Sequence, residues 1–314
     1  MRRLFVLGVP VLLALGLALG WAQQEAVIKV DVDLVNVLAS VRDKKGAFVH
    51  DLTKDDFTVF EDGKKQELRY FSKEADLPMT IGMLIDVSRS QENLIEVEKR
   101  AGAQFFGSVL RNKDMAFLIS FGAEAELLQD LTNSQRFLAK GLNDLRLSVS
   151  TGGLHPSSTG AKQRGTILYD AVYLAANEKL KGEVGRKIIV LITDGMDFGS
   201  RVSREEAIAA AHRADAIIYS IYYVDPGIYG WGGYSDGDLR RLSDDTGGRV
   251  FRVDRKNTLD DIFRQIQEEI RSQYALGYAS SNGAKDGAFR KIEIRANQKD
   301  LKVQSRKGYY ASKG

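Results

Sequence analysis

Five oxygen-bearing side chains from three distant stretches form a set that suits a hard cation. Asp86, Ser88 and Ser90 sit in an alternating D-x-S-x-S triplet, directly after the apolar run 80–85 (TIGMLI). Thr166 follows Gly165 and opens the segment ILYDAV. Asp194 lies in Thr193-Asp194-Gly195, directly after the apolar run 187–193 (KIIVLIT). A carboxylate and two hydroxyls spaced by two residues point the same way from a tight strand-to-helix loop. With a threonine hydroxyl and a second carboxylate the set is all oxygen and carries two formal charges. Mg²⁺, which favours octahedral oxygen sites and keeps some of its waters, fits such a set; Mn²⁺ and Ca²⁺ are the alternatives. Each piece alone has a plainer reading: Asp86, Ser88 or Ser90 as a helix cap, and T-D-G as a turn. Asp170 and Asp197 read as solvated or outer groups rather than ligands. Arg89, between the serines, reads as outward-facing.

The elements that must position these residues alternate between strand and helix. Runs 80–85, 114–121, 187–193 and 216–223 are apolar strands, the first and third continuous rather than alternating. Helical spacing covers 95–110, 134–142, 167–180, 203–213, 236–245 and 259–272, with Ser203 and Glu206 placed as a capping pair. Strands apolar on both faces need helices on both faces. The expectation is therefore a doubly wound α/β domain over 78–272 with a mostly parallel central sheet. In such sheets ligands bind outside the carboxyl ends of the strands, where Asp86 and Asp194 fall.

Both flanks change to period two. Residues 27–40, 57–60 and 66–71 read as strands before the α/β domain, and 273–278, 289–295 and 302–305 after it. The segments 23–77 and 273–314 are each too small for a good core. Paired with one another, they make one small β-sandwich and close each other's edges. Residues 1–22 carry Arg2 and Arg3, an apolar run 4–19, and Ala22 two residues after Gly20. This is a secretory signal pattern with a small-x-small cleavage site, or an uncleaved N-terminal anchor, the only membrane attachment in view. The expected location is periplasmic or extracellular.

Composition narrows the function. The 45 basic and 42 acidic residues are mixed along the chain, leaving a net charge of +3 without a dense basic block. Nucleic-acid binding is disfavoured. Cysteine is absent, which removes disulfides, thiolate catalysis and cysteine-ligated metal centres. The stretch 160–166 (GAKQRGT) lacks the P-loop lysine, no G-x-S-x-G elbow occurs, and His50, His155 and His212 show no zinc spacing. Two glycine-rich tracts, 148–165 and 225–237, are candidate recognition loops. The second carries Tyr229, Trp231 and Tyr234.

The D-x-S-x-S triplet, the distant threonine and the T-D-G aspartate together resemble the metal-ion-dependent adhesion site (MIDAS) of the von Willebrand factor A (vWA) family. The stretch 242–251 (LSDDTGGRVF) is similar to that family's late helix-to-strand passage. The flanks resemble exported vWA-related proteins known from Acidobacteria. The resemblance implies a Rossmann-like vWA fold in which Ser88, Ser90 and Thr166 give hydroxyls to the ion. It implies that Asp86 and Asp194 act directly or through water, and that a protein partner's Asp or Glu fills the open position. It points to a metal-dependent binding module rather than an enzyme. A metal-dependent hydrolase and a structural envelope component are the alternatives.

Overall fold

The computed structural model describes residues 34–73, 77–148, 165–225 and 236–314, all within one compact unit, Asp33–Gly314. The signal or anchor reading at 1–22 lies outside these residues, as do nearly all of the 148–165 loop and the aromatic tract at 226–235. Among the described residues no helix is long and apolar enough to cross a membrane.

The chain opens with strand β1 (Leu34–Arg42), then β2 (Phe57–Glu61), β3 (Lys64–Gln66) and β4 (Leu68–Lys73). The α/β part follows: β5 (Met79–Asp86), α1 (Ile95–Val109), β6 (Met115–Phe121), β7 (Ala125–Thr132), α2 (Gln135–Asn143), α3 (Leu168–Leu174) and β8 (Arg186–Thr193). Next come α4 (Arg204–Ala214), β9 (Ala216–Tyr222), α5 (Gly237–Thr246), β10 (Val250–Arg252) and α6 (Leu259–Arg271). The chain ends with β11 (Tyr274–Ala279), β12 (Phe289–Ala296), β13 (Lys302–Ser305) and β14 (Gly308–Tyr310).

The central sheet has the order β10-β9-β8-β5-β6-β7, parallel except for β7. Every residue of β5 is buried, as a strand covered on both faces requires. Alternate residues face opposite cores. Ile81, Met83 and Ile85 pack with α1, α2 and α6 on one side, while Leu84, Phe117 and Leu191 pack with α3, α4 and α5 on the other. The strand order reverses between β5 and β8. This is the topological switch point at which α/β sheets open a crevice, and it sets Asp86 and Asp194 on adjacent strand ends.

The flanking strands interleave as expected. β1 lies between β13 and β11, and β12 lies between β14 and β2, in two antiparallel four-stranded sheets. Val37, Val41 and Val59 of the N-terminal strands share a core with Leu276, Ile292 and Ile294 of the C-terminal ones. The β2–β3 hairpin turns on Asp62 and Gly63, at φ 48° and 80°, the two positive values a tight two-residue turn needs.

Two expectations are corrected. The strand read over 66–71 is two strands in different sheets: Gln66 pairs with Val59, and Leu68 with Tyr278. Gln66 fixes this corner by exchanging hydrogen bonds with Ser281, to its hydroxyl and from its backbone N–H, both at 3.0 Å. The helix read over 167–180 is α-helical only to Leu174 and continues as a π-helical turn, Ala175–Leu180. Periodicity counts apolar residues but does not distinguish a bond to the fourth preceding carbonyl from one to the fifth.

Candidate functional site

The loop after β5 is organised by Asp86. Its carboxylate is fully buried. It accepts a hydrogen bond from the Ser88 backbone N–H at 2.9 Å through Oδ1 and one from Thr193 Oγ1 at 2.6 Å through Oδ2. The first bond folds the loop back on itself, and the Ser88 and Ser90 hydroxyls meet 2.9 Å apart. Arg89 between them is exposed.

Three more segments gather around Gly122, just past β6. Val87 N–H bonds to the Phe121 carbonyl at 2.8 Å, Ser148 N–H to the Val87 carbonyl at 2.8 Å, and Ile167 N–H to the Gly122 carbonyl at 2.9 Å. A Cβ on Gly122 would lie 2.5 Å from Ser148 Cβ and 3.7 Å from Ser88 N, so only glycine lets these chains approach so closely. Thr166 is thereby tethered through Ile167 to the loop that carries Ser88. It is also tied to the loop after β8, since Phe198 N–H bonds to the Thr166 carbonyl and Gly165 N–H to the Phe198 carbonyl, both at 2.8 Å. In that loop Met196 N–H bonds to Asp194 Oδ1 at 3.0 Å, and Asp194 is 1% exposed. The structure thus brings all three sequence stretches to one end of the sheet.

The two aspartates are close enough for the charge of one to act on the other. Burial, and then the charge of Asp194, push the Asp86 carboxyl up to about 7, against the lowering effect of hydrogen bonds from Ser88 and Thr193. Two neighbouring carboxylates in a low-dielectric site repel one another, and a divalent cation held between such groups relieves that repulsion. The donor set, two carboxylates and three hydroxyls, is hard oxygen throughout and fits Mg²⁺ or a similar ion.

The neighbouring aspartates have structural work. Asp197 Oδ1 accepts from the Ser200 hydroxyl at 2.5 Å and from Tyr169 N–H at 3.3 Å, capping the start of α3. Asp170 Oδ1 accepts from Arg201 N–H at 2.8 Å and Val202 N–H at 3.0 Å, holding the turn that leads into α4. Ser203 and Glu206 form the expected capping box.

Three contributors escaped the sequence reading. Thr193 bridges β8 to Asp86. Glu98 on α1 is completely buried with neither carboxyl oxygen hydrogen-bonded among the described residues, and its carboxyl is pushed well above the usual range by burial and then by Asp86. Phe198 is 57% exposed on the loop joined to Thr166. A groove of about 460 Å³, lined by Ile167, Tyr173, Leu174 and Val202 among others, opens next to Thr166 in the chain.

No family model matches the chain. An uncharacterized protein of Borreliella burgdorferi is 22% identical over 247 residues, covering 76% of this chain and 66% of its own length. Among solved structures, proximal thread matrix protein 1 from the mussel byssus, with a zinc-occupied MIDAS motif, superposes with a TM-score of 0.50. It is 16% identical and covers 68% of this chain, which spans 50% of its length. The α/β core has a vWA-type fold. Two further structural neighbours are the vWF domain of the type V pili tip protein Mfa5 from Porphyromonas gingivalis and the conserved hypothetical protein BatB from Bacteroides thetaiotaomicron. Their TM-scores are 0.48 and 0.47, with 14% and 20% identity, covering 62% of this chain and 95% and 97% of their own. The vWA-type fold here is elaborated by the sandwich of N- and C-terminal strands. The chain spans half of the mussel protein and about two thirds of the Borreliella one.

Proposed function

We propose that this chain is an exported, divalent-metal-dependent protein-binding module. In this reading the vWA-type part, 78–272, is carried on a sandwich built from 23–77 and 273–314, behind a signal segment at 1–22. Ser88, Ser90 and Thr166 would hold the ion through their hydroxyls, with Asp86 and Asp194 acting directly or through water. Bound there, the ion supplies a Lewis-acidic position for a partner's Asp or Glu. The observation that carries the reading is the buried Asp86 carboxylate under the influence of Asp194, on the loop where the Ser88 and Ser90 hydroxyls meet. The zinc-occupied MIDAS of the mussel protein supports it by analogy of fold. Exposed Phe198 and the groove lined in part by Ile167, the residue after Thr166, offer the partner apolar contact. The protein thus acts by recognition rather than by turnover.

Isothermal titration with Mg²⁺ and Mn²⁺ tests the metal. Wild-type protein is expected to bind one ion, and Asp86→Ala and Asp194→Ala each to lose it while keeping the fold. Unchanged affinity in both variants would sink the assignment. A pull-down from envelope extract with and without chelator then tests the partner. Metal-dependent phosphoester turnover that disappears in Asp86→Ala would favour the hydrolase alternative instead.

A further inference from the structure

One row of residues crosses the carboxyl ends of the central sheet. Asp86 on β5 stands beside Thr193 on β8, one residue past the Ile85–Ile192 pair, and the Thr193 hydroxyl joins the two. Thr193 is in register with Tyr222 on β9, and Tyr222 with Arg252 on β10. Neighbouring strands lie about 4.8 Å apart, so Arg252 is rooted roughly 10 Å from Thr193, the residue before Asp194.

Arg252 is one of a pair. Its guanidinium lies 5.2 Å from the centre of the Tyr222 ring. Its Nε and Nη2 lie 2.9 and 2.8 Å from Asp236 Oδ2. Arg240 on α5 meets the same carboxylate, Nε at 3.0 Å from Oδ1 and Nη2 at 2.8 Å from Oδ2. Asp236 is buried, while the side chains of Arg240 and Arg252 are 55% and 53% exposed. A buried carboxylate thus fixes two guanidinium groups at the surface, two positive charges against one negative. The turn after β10 adds exposed Arg255 and Lys256. Its Asp254 is taken up by the N–H groups of Lys256 and Asn257, at 2.7 and 2.9 Å. Nearby acids are engaged as well: Asp225 is buried and accepts from Asn93 Nδ2 at 2.6 Å, and Asp238 pairs with Arg204. The opposite flank differs. Past β6, Glu124, Asp170 and Arg201 line the groove together and leave no positive excess.

We propose that the Arg240–Arg252 pair is a second anchor of the binding surface and that it receives an acidic protein segment. One carboxylate of that segment goes to the ion, and a second goes to the arginines. An extended chain covers about 3.3 Å per residue, so a gap of roughly 10 Å corresponds to acids about three residues apart. Guanidinium groups held in place suit a carboxylate, because their paired donors match its two oxygens. The inference rests on the metal reading for the first carboxylate only.

Fluorescence anisotropy on the full chain tests this, with labelled synthetic peptides of a Gly-Ser background carrying one aspartate or two at i and i+3. In Mg²⁺ the two-acid peptide is expected to bind about tenfold more tightly than the one-acid peptide. Replacing both arginines, Arg240→Gln with Arg252→Gln, is expected to erase that preference and leave the one-acid peptide unaffected. No binding of the two-acid peptide, equal affinity of the two peptides for wild-type protein, or a preference that survives in the double variant overturns the proposal. The peptide comparison uses wild-type protein and decides the matter even if the double variant folds poorly. A preference that persists in chelator and in Asp86→Ala, with one-acid binding indifferent to metal, supports the arginine anchor and counts against the metal reading alone.

Discussion

Thr193 Oγ1 donates a 2.6 Å hydrogen bond to Asp86 Oδ2, joining the ends of the two strands where the sheet order reverses. The same oxygen accepts from Gly195 N–H at 3.1 Å, so one hydroxyl fixes both the buried carboxylate and the start of the Asp194 loop. Thr193→Val keeps the shape and removes the hydroxyl. It is expected to cost about 1–3 kcal/mol, the penalty for an acceptor stripped of its donor. On the metal reading it also weakens Mn²⁺ binding about 10–100-fold, the usual effect of losing an outer partner of a ligand. Thr193→Ser should restore most of both. Denaturant melts and Mn²⁺ titrations of the two variants check this; a valine variant as stable as wild type would remove the bridge from the account.

Glu98 presents the opposite case, a polar group with no hydrogen-bond partner among the described residues. Its carboxyl is buried on α1 with neither oxygen hydrogen-bonded among the described residues, and burial and then Asp86 push it well above the usual carboxylate range. An unsatisfied buried polar group costs stability that a same-sized apolar side chain does not. Glu98→Leu is therefore expected to stabilise the protein by about 1–3 kcal/mol, with a melting temperature several degrees higher. A lower melting temperature than wild type would show that Glu98 has a partner worth more than its desolvation.

Much of this was legible in the residues, for identifiable reasons. The runs 81–85 and 188–192 are apolar throughout, as a strand buried on both faces requires, so the sheet and the carboxylates at its ends could be read together. The flanking strands announced their pairing by being too short to stand alone. Thr193 was missed because, as the last residue of an apolar run, it looks like the strand's end rather than a ligand's support. Glu98 was missed because a glutamate in the charged stretch Glu96-Val97-Glu98-Lys99-Arg100 reads as solvated, although it shares its helix face with Ile95 and Phe105. The corner at Gln66–Leu68 leaves no mark in a period-two pattern, since a chain that changes sheets keeps its alternation. The three residues of β14 are too few to show a period at all.

Glu269 on α6 fastens the sandwich to the α/β part. Its buried carboxylate lies 2.7 Å from Arg42 Nη2 on β1 and 2.8 Å from Arg249 Nε. Removing one member of a buried ionic cluster leaves the others uncompensated and typically costs about 3–5 kcal/mol. Glu269→Ala is expected near the upper part of that range, because two arginines lose their counter-charge at once. Arg42→Met in the Glu269→Ala background should recover part of the loss, since it withdraws one of the stranded charges. Chemical denaturation of the single and double variants measures both steps. Strictly additive losses would mean that the two side chains do not act as a unit.

His212 sets a pH limit on the fold. Burial, and then the Arg306 charge, lower it to about 4, while Asp215 pulls the other way. An unfolded histidine titrates near 6.5, so the folded state binds the proton more weakly than the unfolded one. The stabilising contribution of the neutral ring is complete above pH 6.5 and is lost progressively as pH falls toward 4. Below that both states are protonated and the loss levels off. A difference of about 2.5 pKa units corresponds to roughly 3 kcal/mol. Wild-type protein should therefore lose stability between pH 6.5 and 4 more steeply than His212→Gln, which cannot take up that proton. Melting temperatures of the two proteins across this window make the comparison, and parallel curves would mean that His212 does not carry the acid sensitivity.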